Sequence, residues 1–164
     1  MTYNKMGPIE KQANALMSGD AVTSKRLCYE NLKNFPDNCD IAFNAGWAKL
    51  SDGDVENGYT LLDRGRESTL WGDPLISTQP IWKGEKGTVL LQLERGLGDQ
   101  LHQVRYAKEL KKAGCTVIVS CDPHLAPLLN TIPEVDVIII NKVNEGVYHD
   151  YTLPAMSAPI QLGY

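Results

Sequence analysis

Residues 90–106, "LLQLERGLGDQLHQVRY", run from an unbroken apolar stretch, through a glycine turn ending in an acid, into a helical pattern. A junction of strand, turn and helix opens a parallel α/β sheet, and in such sheets ligands bind at the carboxyl ends of the strands. The turn Gly96-Leu97-Gly98-Asp99 therefore bears on both fold and function. Its two glycines permit positive φ angles and close approach of a ligand to the backbone, and the helix that follows offers free amides.

Downstream of the turn the same grammar continues. "TVLLQLE" (88–94), "TVIVSC" (116–121) and "VDVIII" (135–140) are short β-branched runs, as expected for parallel strands covered on both faces. Between them, "DQLHQVRYAKELKKAG" and "DPHLAPLLNTIP" have the length of crossover helices. In the first, Leu101, Val104, Ala107 and Leu110 form an apolar stripe, with Lys108, Lys111 and Lys112 left to solvent. Asp122 is expected to cap a second helix begun by Pro123. The alternation predicts the first half of a doubly wound domain.

Upstream, the period is helical from Ile9 to about Thr69, and Gly19-Asp20 recurs as Gly53-Asp54 at an offset of 34 residues. With the break at Gly-Asp and the closing Pro36, this half resembles the tetratricopeptide repeat. A generic pair of helical hairpins is the alternative. Gly46, Gly58 and Gly65 would each cost about 1 kcal/mol in an isolated helix, so their presence predicts close helix packing. Residues 71–87, with two tryptophans, two prolines and three glycines, read as a connector. Trp71 and Trp82 are expected to pack it into a groove between the halves. The expected fold is thus α+α/β: tetratricopeptide-like helical hairpins over 1–70, a linker over 71–87, and a partial Rossmann-like parallel sheet over 88–164.

Composition narrows the function. A net charge of -4 and a pI near 5.3, with no block of five like charges, argue against nucleic acid or an anionic membrane as partner. No apolar run approaches the roughly 20 residues that span a bilayer, and a cytoplasmic location is expected. Cys28, Cys39, Cys115 and Cys121 form no CxxC pair, so reduced, mostly buried thiols are expected rather than zinc ligands or disulfides. Leu101 stands where a dinucleotide fingerprint needs its third glycine, and no Walker lysine or Gly-x-Ser-x-Gly elbow is present. His102, His124 and His149 lack metal-ligand spacing and read as surface or helix-end residues.

The span from Val89 to Ile140 resembles the N-terminal Rossmann half of the glycosyltransferase-B fold. It is most similar to the ADP-heptose:lipopolysaccharide heptosyltransferase-like branch and to the bacterial and phage proteins that join it to tetratricopeptide repeats. Glu94, Gly96, Leu97, Gly98, Asp99, Leu101, Arg105 and Tyr106 carry the likeness. Gly114, "DPHLAPLL", "IPEVD" and "YTLPAMSAPIQLG" agree, so that it covers 84–164. Arg95 departs from it, standing where the repeat-linked proteins tend to have glutamine.

The resemblance implies inverting transfer from a nucleotide-sugar donor to an acceptor hydroxyl, with Asp99 as base, no metal, and Gly96 and Gly98 shaping the acceptor side. Leu97, Gln100 and Arg105 join them as implied substrate-binding residues. Read from the residues alone, Asp99 is either that base or a helix N-cap. Arg105 either binds an acceptor phosphate or carboxylate, or pairs with Glu94 or Glu109. In this fold the donor sits mainly on a second Rossmann domain that the 164 residues do not include. The expectation is an acceptor-side portion, inactive as this chain alone, with a sugar or glycan as acceptor. The alternative is a non-catalytic module that binds a protein, through the helical repeats, or a glycan. Exposed edges on an unfinished sheet favour a homo-oligomer.

Overall fold

The computed structural model describes residues 6–68, 74–140 and 146–163. The chain divides into two compact units, Met1–Gly72 and Asp73–Tyr164. Trp71 lies outside the described residues.

The first unit holds α1 (Pro8–Met17), α2 (Ala21–Asn34), α3 (Cys39–Ser51) and α4 (Val55–Arg64), which runs on into a 3₁₀ turn, Gly65–Glu67. Helix α1 packs on α2, α2 on α3, and α3 on α4. The offset of 34 residues is built into the backbone. Gly19 and Gly53 adopt φ of +82° and +80°, a conformation that glycine enters without a steric cost. The Asp20 amide donates to the Ala15 carbonyl at 2.9 Å, as Asp54 does to Lys49 at 3.0 Å. Gly19 donates to Leu16, and Gly53 to Leu50, both at 3.0 Å. Asp20 then caps α2 by accepting the Thr23 amide at 3.0 Å.

The three helix glycines sit where the expectation puts them. A Cβ on Gly46 would lie 2.8 Å from Leu62 Cγ and 2.9 Å from the Gly58 carbonyl oxygen, and one on Gly65 would lie 2.8 Å from the Phe43 nitrogen. At the equivalent crossing in the first hairpin, Ser24 Oγ donates to the Gln12 carbonyl at 3.2 Å. Two packed glycines in one hairpin thus correspond to a buried polar pair in the other. Cys28, buried here, has its thiol pKa pushed up to about 11 by desolvation.

The second unit is a parallel sheet of four strands, β1 (Thr88–Gln92), β2 (Thr116–Cys121), β3 (Val137–Ile140) and β4 (Tyr151–Pro154), in the order β3-β2-β1-β4. The first three fall inside the predicted runs; β4 is an addition to them. Four helices complete the unit: α5 (Leu97–Gln103), α6 (Tyr106–Lys112), α7 (Ala126–Leu129) and α8 (Ala158–Leu162). One sheet face, with Val89, Leu91, Leu93, Val117, Val119, Cys121 and Leu153, packs against Val104, Ala107, Leu110 and Leu129. The other carries Leu90, Ile118 and Ile139, with Ile76 and Val147 against them.

Several local expectations need correction. The first crossover is two helices, because at Ala107 and Lys108 the amides bond three residues back, to Val104 and Arg105, instead of four. The apolar stripe fails at Leu101, which is 44% exposed on α5, while Val104, Ala107 and Leu110 are buried. Helix α7 has four residues and starts at Ala126, not Pro123, and Asp122 caps the preceding turn by accepting the His124 amide at 2.9 Å.

Residues 74–87 pack as part of the second unit. Trp82 belongs to its core, 3% exposed, with its indole N–H on the Glu85 carbonyl at 2.7 Å. The Trp82 amide donates to the Thr152 carbonyl, and the Thr152 amide to that of Pro80, so 80–82 lie along the outer side of β4. Gln92 holds 74–76 as a surrogate backbone: its Oε1 accepts the Ile76 amide at 3.1 Å and its Nε2 donates to the Pro74 carbonyl at 2.8 Å. His149, 3% exposed, donates through Nδ1 to the Val147 carbonyl, so Nε2 accepts the Ser77 hydroxyl at 2.6 Å.

Candidate functional site

Strand β1 has β2 on one side and β4 on the other, so the chain leaves it in opposite directions along the sheet. A crevice opens at the carboxyl end of such a switch point. The ladder continues slightly past the strands: the Leu93 amide bonds the Ser120 carbonyl at 3.0 Å, and the Ala155 amide that of Gln92 at 2.9 Å. Glu94 follows, fully buried, and its Oε2 accepts the Met156 amide at 2.8 Å. The Glu94 amide donates to Gln103 Oε1 at 2.8 Å, and Gln103 Nε2 reaches Met156 Sδ at 3.3 Å. This clasp holds the loops after β1 and β4 together across the switch point.

The left-handed residue of the turn is Arg95, with φ +71°, the one non-glycine with positive φ among the described residues. Gly96 is extended (φ −74°, ψ 170°) and Gly98 lies within α5. Neither glycine is needed for a left-handed turn. A Cβ on Gly98 would meet nothing within 4 Å, so its missing side chain leaves open space beside the crevice.

Asp99 is exposed at the third position of α5. Its Oδ2 accepts the amide of the N-cap residue Gly96 at 3.1 Å, while among the described residues its Oδ1 makes no hydrogen bond. The N-cap is Gly96, so Asp99 is not the N-cap considered for it: its carboxylate bonds the N-cap amide from the third position of the helix.

Gln100, 2% exposed, spends its side chain on backbone: Nε2 donates to the Arg95 carbonyl at 3.0 Å and Oε1 accepts the Asp122 amide at 2.8 Å. Its influence on a ligand passes through the two loops that it joins. Gly96, Leu97, Gly98 and Asp99 form one exposed rim. Arg105 is exposed at the junction of α5 and α6. It donates to His102 Nε2 at 2.9 Å and to the Tyr106 hydroxyl at 3.2 Å, and its guanidinium lies 5.1 Å from the Tyr106 ring centre. The Glu109 carboxylate is engaged by Lys112 at 2.9 and 3.0 Å.

Sequence reasoning missed the clasp of Glu94, Gln103 and Met156. The signal in the chain is faint: an acid ending an apolar strand, and an amide on the buried side of the next helix. Among the described residues, no group of three or more His, Cys, Asp or Glu could hold a metal ion, and no helix is long and apolar enough to cross a membrane. No family model, curated protein or solved structure matches the chain.

Proposed function

We propose that the second unit is the acceptor-side portion of an inverting sugar transferase that uses a nucleotide-sugar donor, with Asp99 as the base. The observation that carries the reading is the divided carboxylate of Asp99, bonded to the N-cap amide through Oδ2 and, among the described residues, open at Oδ1, on an exposed turn at the switch point. A base must reach the proton that it removes, and an oxygen without a partner among the described residues at the crevice rim meets that requirement. The acceptor hydroxyl would lose its proton to Oδ1 as its oxygen bonds the anomeric carbon, and the nucleotide would leave with the electron pair of the broken bond. Gly96 and Gly98 would let the sugar approach the backbone, and Arg105 would serve an acceptor phosphate or carboxylate. The helical unit is read as a pair of tetratricopeptide-like hairpins, on the strength of its repeated turn geometry.

The test is Asp99→Ala in a chain that also carries a donor-binding domain. Loss of a positioned base should cost 10²-fold or more in rate, on the order of the usual effect. Undiminished transfer would remove Asp99 from the mechanism.

A second reading, a protein-binding module, draws on the helical unit. There a groove of about 380 Å³ is lined by Leu16, Lys25, Cys28, Trp47 and Ala48, among others. Trp47→Ala would abolish capture of such a partner while leaving sugar binding intact.

A further inference from the structure

The strands β1 and β2 run parallel, so the loops that follow them lie at the same end of the sheet. The first loop is the rim just described. The second carries Asp122 and His124, two residues the sequence offers only as a helix cap and a surface histidine. In the structure they form a pair: Asp122 Oδ1 lies 2.8 Å from His124 Nδ1 and also accepts the His124 amide at 2.9 Å. One carboxylate oxygen thus fixes both the backbone and the ring.

A carboxylate only accepts, so Nδ1 must carry the proton, and Nε2 of the neutral ring presents its lone pair. The His124 side chain is 84% exposed, and Nε2 has no hydrogen-bond partner among the described residues. The pair is not a loose surface feature. The buried amide of Gln100 joins its loop to that of Arg95, through the Asp122 amide at 2.8 Å and the Arg95 carbonyl at 3.0 Å.

We propose that His124 binds the sugar acceptor, its Nε2 accepting a hydroxyl hydrogen, and that Asp122 is the positioning residue that holds the ring in the required tautomer. The inference rests on the sugar-transferase reading above and extends its site from the loop after β1 to the loop after β2. The part of the ligand that meets His124 is a sugar hydroxyl rather than an anionic group, because the group offered is an acceptor beside a carboxylate. A ring with one nitrogen fixed and the other open contributes orientation, since a hydroxyl must approach along a single lone-pair direction.

The experiment uses the intact chain labelled with ¹⁵N and a panel of methyl hexopyranosides as probe. Long-range proton–nitrogen spectra report the tautomer and ligand response of each histidine ring, with His102 and His149 as internal references. In the free protein His124 should appear as the Nδ1–H tautomer, and on addition of a binding glycoside its Nε2 resonance should move together with the amides of residues 96–100. Asp122→Asn keeps an acceptor for the His124 amide, so the loop folds. It should mix the tautomers and weaken glycoside binding about fivefold, the worth of one oriented hydrogen bond. Movement of the 96–100 amides without the His124 ring would overturn the role of His124 while leaving the crevice reading intact. Unchanged affinity in Asp122→Asn would overturn the positioning role. Silence at both places would overturn the inference and the sugar-binding reading together.

Discussion

The buried carboxylate of Glu94, just past β1, accepts the backbone amide of Met156, just past β4, at 2.8 Å, across 62 residues of sequence. The contact ties together the two strands that flank the switch point. It also places an acid, fully enclosed, one residue from the left-handed Arg95. The loops after β1 and β4 are therefore joined by polar bonds and not by apolar packing alone.

Glu94→Ala strands the Met156 amide in a buried site, and an unsatisfied buried donor costs about 1–3 kcal/mol. Glu94→Gln keeps an oxygen for that amide and should cost about 1 kcal/mol or less. Urea unfolding of both variants measures the difference, and equal losses would show that the hydrogen bond is not what Glu94 provides.

Glycine substitutions should separate packing from function. In an open helix Gly→Ala gains about 1 kcal/mol. At Gly46 and Gly65 the new methyl would meet neighbouring atoms at 2.8 Å, so Gly46→Ala and Gly65→Ala should each lose about 1–3 kcal/mol by overpacking. Gly98→Ala meets open space and should leave the melting temperature unchanged or raised, while weakening sugar binding. A destabilised Gly98→Ala would assign that glycine to the fold.

Two fully buried hydroxyls, Ser120 Oγ and Thr152 Oγ1, have no hydrogen-bond partner among the described residues. Thr152→Val replaces an unsatisfied hydroxyl with a methyl of similar shape and should stabilise the second unit by about 1 kcal/mol, the desolvation cost relieved. Denaturant titration decides it, and a loss of stability would mean that the hydroxyl is bonded in solution.

Acid should unfold the protein through its bonded aspartates. Asp150 is held below its ordinary value by the Thr88 amide and the Tyr148 hydroxyl. Burial pushes Asp136 upward, but its bonds to Lys111 and the Val117 amide prevail and lower it. Asp20, Asp52 and Asp54 are lowered as well, chiefly by hydrogen bonds. In each the folded pKa lies below the unfolded one, so the stabilisation is complete above about pH 4 and is lost as pH falls through the folded values. Melting temperature should hold steady from neutrality to about pH 5 and fall below pH 4. Asp150→Asn should flatten that acid limb, and a limb unchanged by the substitution would exclude Asp150 as a contributor.

The sequence makes the sheet legible in part. Runs such as 116–121 advertise strands because both faces are covered and the side chains are mostly apolar or β-branched. Strand β4 hides because it is four residues long and ends in Pro154, with Thr152 in its middle. The break between α5 and α6 leaves no proline or glycine as a marker, so periodicity reads straight through it. The close approach at Gly46 and Gly58 is legible because glycine is costly in a helix without a packing reason. At the site, Asp99 is visible from its place after two glycines, whereas Glu94 and Met156 lie too far apart in the chain for any local pattern to connect them. Gln100, implied by the resemblance to bind substrate, is buried and bonded to the Asp122 loop, a contact across 22 residues that no local pattern reveals.

Amide chemical shifts of the intact chain during titration with methyl hexopyranosides test the central claim most directly. The account predicts perturbations centred on residues 96–100 and on Met156 and Ser157, saturating with sugar and abolished by Asp99→Ala without loss of fold. Perturbations confined to the helical groove around Trp47, or none at any residue, would contradict it.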